Sequence, residues 1–369
     1  MWDAFPFLPV TEPTNIITLG EGGTPLLSFP HLHSGLWVKN EGLNPTGSFK
    51  DRPLSVIVSA AKERGAEALV TASSGNAGVA LSAYSAKAGI PCLVVVGRNA
   101  APEKIKTMQI LGAKVVKIED GDVSQCVALV REVVKICDLR VMDATTTFRN
   151  PLGLEGDKTV AYEIIRDMGK VPDWVIVPIG SGPLLVGIYK GFEEVLKVGL
   201  IDRVPRMVGV QASGCAPIAR SFITGERVKP WSCVQTIAAG IADPLRGYEV
   251  DGEVTLRVIR RSGGQCISVS DNQILAAMKL LASKMGIFVE PSGAASLAGF
   301  LRMCRDGLIA ERDSVVCLLT GQGFKEVNRI AEAVALSDAP IIKSTAVDYL
   351  VYLLQFILKE KHHAQQSER

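Results

Sequence analysis

The 369-residue chain carries 40 basic and 38 acidic side chains, with 47% apolar and 21% charged residues. That balance excludes a disordered chain, and the lack of a basic excess or of a nucleic-acid-binding motif argues against a DNA or RNA partner. At roughly 100–200 residues per domain, the length predicts two or three domains.

The eight cysteines form no C-x-x-C pair, and no histidine stands at ligand spacing from them. They read as reduced, mostly buried thiols of a cytosolic protein, and no metal site is expected. Residues 1–18 lack the charged start and apolar run of a secretory signal. The late apolar stretch Tyr349–Leu358 falls well short of the roughly twenty residues of a membrane span. It reads as a buried or subunit-contact helix, followed by a polar, frayed tail, Lys359–Arg369.

In chain order, Leu69–Ala72 reads as a short apolar strand and Ala77–Lys87 as a helix with small residues on its packed face. Cys92–Val96 is a strand closed by Gly97, and Pro102 opens a helix that runs to Leu111. Lys114–Ile118 is the next strand, and Val123–Cys137 has helical periodicity. Such a βαβαβ run marks an α/β domain with a parallel sheet. The pattern resumes with strand Trp174–Ile179, helix Leu184–Leu196, strand Met207–Gln211 and helix Cys215–Phe222. Two helices, Asp271–Lys284 and Ser292–Arg305, precede strand Val315–Leu319. Weak breaks near Lys50–Pro53 and Thr145–Pro151 divide the chain into two α/β lobes sharing one cleft.

Three glycine-bearing turns follow predicted strands: Ser73–Gly78, Gly180–Pro183 and Thr320–Gly323. In open α/β sheets, ligands bind outside the carboxyl ends of strands, where helix N-termini offer free N–H groups to anions. Each turn taken alone reads first as a helix cap or tight turn. The second is the best phosphate cradle. Pro183 has no N–H, which leaves Gly180, Ser181, Gly182 and Leu184 as donors. It fits neither G-x-G-x-x-G nor G-x-x-x-x-G-K-[ST], so dinucleotide and ATP sites lose ground. The segment Asn44–Arg52 places Lys50 after an apolar Phe49 near a helix start. Desolvation and the helix dipole there depress a lysine's pKa, which suits imine chemistry with a carbonyl cofactor. On spacing alone, a surface lysine at a helix N-terminus fits the segment better.

That segment resembles the cofactor-lysine motif of threonine synthases and, more broadly, of fold-type II pyridoxal-phosphate (PLP) enzymes. Five more segments match the family in order: Gly20–Leu26, Ser73–Gly78, Gly180–Pro183, Gly286–Ser292 and Thr320–Glu326. The resemblance implies two open twisted-sheet lobes with the cofactor in the cleft between them. The large lobe would be residues 1–52 plus 150–369, and the small lobe residues 53–149. It implies that Lys50 holds PLP as a Schiff base and moves the substrate's Cα proton. Asn76 would bond the ring hydroxyl. Gly180, Ser181, Gly182 and Leu184 would hold the phosphate, and Thr320 would face the ring nitrogen. Ser73, Ser74, Gly75 and Ala77 would meet the substrate, with Lys158 also assigned to it. A homodimer is implied as well.

The chain departs from that family at three points. Gly153 stands where threonine synthases carry an arginine for the phosphate of O-phosphohomoserine. Ala77 stands where threonine is usual, and Gly180–Leu184 reads Gly-Ser-Gly-Pro-Leu where Gly-Asn-x-Gly-Asn is common. Arg149, Lys158 and Arg52 are the candidate replacement cations. The leading expectation is a PLP-dependent lyase converting O-phosphohomoserine and water to threonine and phosphate. The rivals are β-elimination or β-replacement on O-phosphoserine, serine or threonine, and a non-catalytic PLP or metabolite sensor.

Overall fold

The computed structural model describes residues 1–137, 140–334, 339, 348–352 and 354–355. Met1–Ile330 forms one compact unit and Ala331–Arg369 a second. The stretch Tyr349–Leu358 lies partly, and the tail Lys359–Arg369 wholly, outside the described residues.

The first unit opens with strands β1 (Leu26–Ser28) and β2 (Leu36–Asn40), then helix α1 (Asp51–Glu63). Next come β3 (Ala68–Ala72), α2 (Asn76–Ala88), β4 (Cys92–Val96), α3 (Pro102–Ile110), β5 (Lys114–Lys117), α4 (Val123–Cys137) and β6 (Val141–Asp143). Helices α5 (Leu152–Asp157) and α6 (Thr159–Met168) lead to β7 (Trp174–Pro178), α7 (Pro183–Lys197), β8 (Arg206–Ala212), α8 (Pro217–Thr224) and α9 (Glu249–Arg261). The series closes with β9 (Gln265–Val269), α10 (Asp271–Met285), α11 (Pro291–Arg305) and β10 (Val315–Leu319).

Two sheets result. Strands β5-β4-β3-β6 form a parallel sheet of four. Strands β1-β2-β10-β7-β8-β9 form a sheet of six, in which only the β1–β2 pairing is antiparallel. The strands β7 and β10 are buried at every position, as expected where helices cover both faces of a parallel sheet. The α/β class with two sheets read from the sequence is therefore the architecture found.

Helix α1 packs into the apolar core of the smaller sheet through Leu54, Ile57 and Val58, and against α5. The α1–α5 approach is close because of Gly156, where a Cβ would collide with the backbone carbonyl of Arg52. The first turn of α1 also carries Arg52, which is fully buried. Its Nε and Nη2 donate to the two carboxylate oxygens of Glu41 at 2.7 and 2.8 Å. Its Nη1 and Nη2 donate to Glu163 at 2.8 and 2.7 Å, and Nη1 also reaches Thr159 Oγ1 at 2.9 Å. Lys39 adds a second buried cation, donating to Glu163 at 2.7 Å and to the Thr24 carbonyl at 2.6 Å. Burial alone would raise the Glu41 and Glu163 carboxyl groups, but the Arg52 charge and its hydrogen bonds hold both below the usual carboxylate range.

Two cations and two carboxylates thus neutralise one another out of water. Removing one member leaves an uncompensated buried charge, which typically costs about 3–5 kcal/mol. Arg52→Met is expected to lower stability by about that much in denaturant unfolding, whereas an exposed pair such as Lys135–Glu132 should change it by less than about 1 kcal/mol when broken.

Candidate active site

The carboxyl ends of β3, β4, β6, β7 and β10 converge on one cleft of about 290 Å³, near the lower end of small-molecule sites. It is lined by Lys50, by Ser73–Ala77, by Gly180–Leu184 and by Thr320. Eleven of the twelve expected site residues are therefore brought together, although they arise from stretches far apart in the chain.

Lys50 caps the N-terminus of α1. Its Nζ donates to Thr146 Oγ1 at 2.6 Å and lies 4.7 Å from the Phe49 ring centroid. Burial pushes its ammonium below the ordinary lysine range, opposed by the carboxylates of Asp157 and Asp243. A lysine so placed reaches its neutral, nucleophilic form more readily.

The turn after β7 opens α7 at Gly182, whose φ of +103° is a conformation that L side chains rarely adopt. A Cβ there would also run into the Thr255 side chain. The Thr255 hydroxyl donates to the Ser181 carbonyl at 2.5 Å and fixes the turn from behind. Among the described residues, the N–H groups of Gly180, Ser181, Gly182 and Leu184 donate to no protein acceptor. Four free donors at a helix start are what a phosphate requires, so these residues fit the phosphate end of PLP.

Thr320 is 4% exposed at the end of β10, and its carbonyl accepts the Phe49 N–H at 3.0 Å. That bond ties the residue before the lysine to the far wall of the cleft. Asn76 begins α2. Its amide nitrogen donates to both Glu290 oxygens at 3.0 Å, and its oxygen accepts from Lys325 at 2.7 Å. The Ser73 hydroxyl accepts the Gly75 and Gly78 N–H groups at 3.3 and 3.1 Å, and Ser74 Oγ accepts the Gly97 N–H at 3.0 Å. Among the described residues, neither hydroxyl donates to a protein acceptor.

Lys158 is the exception. It does not line the cleft; its ammonium is buried against Glu155 at 2.6 Å, Glu194 at 3.0 Å and the Phe7 carbonyl at 2.7 Å. The i,i+3 partner Glu155 draws it down its own helix. Arg52 is likewise consumed by its carboxylates, and Arg149 is exposed outside the cleft lining. The Gly20–Leu26 motif does not reach the cleft either. Its Thr24 hydroxyl donates to Glu41 at 2.6 Å, and Glu21 accepts from Trp2, Ser55 and Tyr84, so the motif is structural.

Sequence reasoning gave no role to Thr146, Lys104, Asp243, Glu290 or Lys325. Lys104 and Glu326 form a 2.5 Å ion pair at the cleft wall. Glu290, Lys325 and Glu326 lie inside motifs already singled out. Asp243 carries no local signal: its Oδ1 accepts from Tyr248 and from the Leu245 N–H at 2.6 and 3.1 Å, and burial raises its carboxyl.

A lysine at a helix start shares one cleft of strand ends with four free N–H groups at the start of another helix, an arrangement that fits a phosphate-bearing carbonyl cofactor. Residues 17–321 match the model of the pyridoxal-phosphate dependent enzymes, and the chain belongs to that family. It is 38% identical to a threonine synthase of Methanocaldococcus jannaschii, over 98% of this chain and 87% of that protein. It is 37% identical to a threonine synthase of Mycobacterium tuberculosis, over 92% and 91%. Serine racemase from Dictyostelium discoideum superposes with a TM-score of 0.67 at 25% identity, covering 82% of this chain and 92% of that one.

Gly182→Ala should weaken cofactor binding at least roughly tenfold, since strain at a positive φ and the clash with Thr255 both act on the turn. Titrating cofactor-free protein with PLP by fluorescence, beside a melting curve, checks this.

Proposed function

We propose that the chain is a PLP-dependent lyase of threonine-synthase type, removing a leaving group from an amino-acid substrate. The observation that carries this reading is the placement of Lys50 in one cleft with the free N–H groups of Gly180–Leu184. PLP, when bound, withdraws electrons from the substrate's Cα and makes its proton acidic. Lys50 then accepts and returns that proton as a positioned base. Ser73, Ser74 and Gly75, at the start of α2, orient the substrate carboxylate. Thr320 offers the ring nitrogen a neutral hydroxyl, which holds a proton there weakly and favours elimination over amino-group transfer. The Lys104–Glu326 pair closes one wall against water. A homodimer in the cytosol belongs to the same reading.

The threonine synthase relatives support O-phosphohomoserine as the substrate, with water as the nucleophile. One observation favours a second reading, β-elimination from a shorter hydroxy amino acid. Besides Lys50, the cations lining the cleft are Lys104, already paired with Glu326, and the exposed Arg329. A side chain at Gly153 would start against Pro53 and Ile57, 3.4–3.5 Å away, on a helix that is not part of the lining.

A panel of O-phosphohomoserine, O-phosphoserine, serine and threonine, scored for phosphate, threonine, ammonia and 2-oxo-acid release, separates the two. Threonine and phosphate from O-phosphohomoserine are expected. Ammonia and a 2-oxo acid from serine or threonine, with O-phosphohomoserine untouched, would put the second reading in its place.

A further inference from the structure

Asn76 lines the cleft, and both ends of its amide are taken. Its nitrogen donates to the two Glu290 oxygens at 3.0 Å, and Glu290 lines the cleft as well. Its oxygen accepts from Lys325 Nζ at 2.7 Å, and Lys325 is not part of the lining. Lys325 ends the turn Gly323–Lys325 that follows β10. Its nitrogen also reaches the carbonyls of Gly47 at 2.9 Å and of Thr46 at 3.3 Å. Gly47 has a φ of +79°, and the Gln322 side chain fills the space a Cβ there would need. Only glycine fits that turn, three residues before Lys50.

Three acceptors around one lysine nitrogen call for three N–H groups, which only the protonated ammonium has. An ammonium cannot accept a hydrogen bond. Of the two flips of the Asn76 amide, only one therefore keeps the bond to Lys325: oxygen toward Lys325, nitrogen toward Glu290 and the cleft. Amide oxygen and nitrogen are close in size, so packing does not choose between the flips, and the charges beside them do.

We propose that Lys325 is a positioning residue for Asn76: it locks the amide with its N–H groups toward the cleft, so that Asn76 offers a donor, and no acceptor, to an oxygen on the cofactor ring. The proposal rests on the reading of Lys50 as the cofactor lysine and of Asn76 as the partner of the ring hydroxyl. The amide has two N–H groups, one for Glu290 and one for that oxygen. A donor there favours the ionised oxygen over the neutral hydroxyl, because a hydrogen bond to the charged form stabilises it. Lys325 acts without touching the cofactor, through the face of Asn76 that it selects.

The test is a double-variant cycle read in the absorption spectrum of the PLP-loaded protein. The ionised ring oxygen gives a yellow lysine–cofactor band, the neutral hydroxyl a near-ultraviolet one. Lys325→Met removes the ammonium, and Asn76→Ala removes the amide. Each alone should move the spectrum toward the near-ultraviolet band and weaken PLP uptake by the cofactor-free protein about tenfold, the order expected for one charge-assisted hydrogen bond. Together they should do no more than Asn76→Ala alone, since Lys325 acts through that amide. If Lys325→Met does not fold, Lys325→Ala, which admits water to the freed carbonyls, is read the same way. A field effect of the charge, or a general loosening of the cleft, persists without the amide. A Lys325 shift that survives in the Asn76→Ala background would therefore overturn the proposal, as would a Lys325 variant with the wild-type spectrum. A wild-type spectrum in Asn76→Ala would instead remove the Asn76 contact beneath the proposal. Absence of any lysine–cofactor band in the wild type would overturn the cofactor assignment beneath both.

Discussion

The guanidinium of Arg52, buried two residues after Lys50, is the constraint on which the site depends. A charge taken out of water must be met on every side. Meeting it gathers Glu41 from the end of β2, Glu163 and Thr159 from α6, and Thr24 from the opening motif. These partners pin the first turn of α1 between the two sheets, so Lys50 at its cap has little choice of position. Lys39 supplies a second cation to the cluster, and Asp167 lies 3.6 Å from it at the rim. These charges are answered within the cluster, and the carboxyls of Asp157 and Asp243 are left to act on Lys50.

The cleft divides its labour by chemistry. In the proposed reading, the backbone N–H groups at the start of α7 would hold an anion, Lys50 would meet a carbonyl, and Thr320 would offer a neutral hydroxyl to the ring. The walls are joined by polar bonds. Asn76 is gripped by Glu290 and Lys325, and Lys104 by Glu326. These partners come from segments after residue 285, while Asn76 and Lys104 come from the smaller sheet's half. The cleft is therefore complete only when both sheets have formed.

Much of this was legible in the sequence because it is encoded locally. The run from β3 to α4 announces itself by alternating apolar strands with helices opened by Pro102 or closed by Gly89 and Gly112. The α7 turn is marked by Gly182 and Pro183, residues chosen for backbone reasons. Strands β2 and β9 and the 13-residue helix α9 also went unread; the rest of what escaped was short or long-range. Strands β1 and β6, of three residues each, are too brief for a periodic signal, and α5 and α6 meet at Lys158 without a glycine or proline between them. Lys158 looked like a free cation because nothing in its own segment reveals Glu194 or the Phe7 carbonyl. Arg52 looked available because Glu163 lies 111 residues away. Charge partners at such distances are a property of the fold, and a motif can name a residue without naming its company.

The account turns on where the carbonyl cofactor attaches. Borohydride reduction of the PLP-loaded protein, followed by peptide mapping, reads that attachment directly. A single stable adduct on Lys50 is the predicted result. An adduct on any other lysine, or a protein that takes up no cofactor, would contradict it.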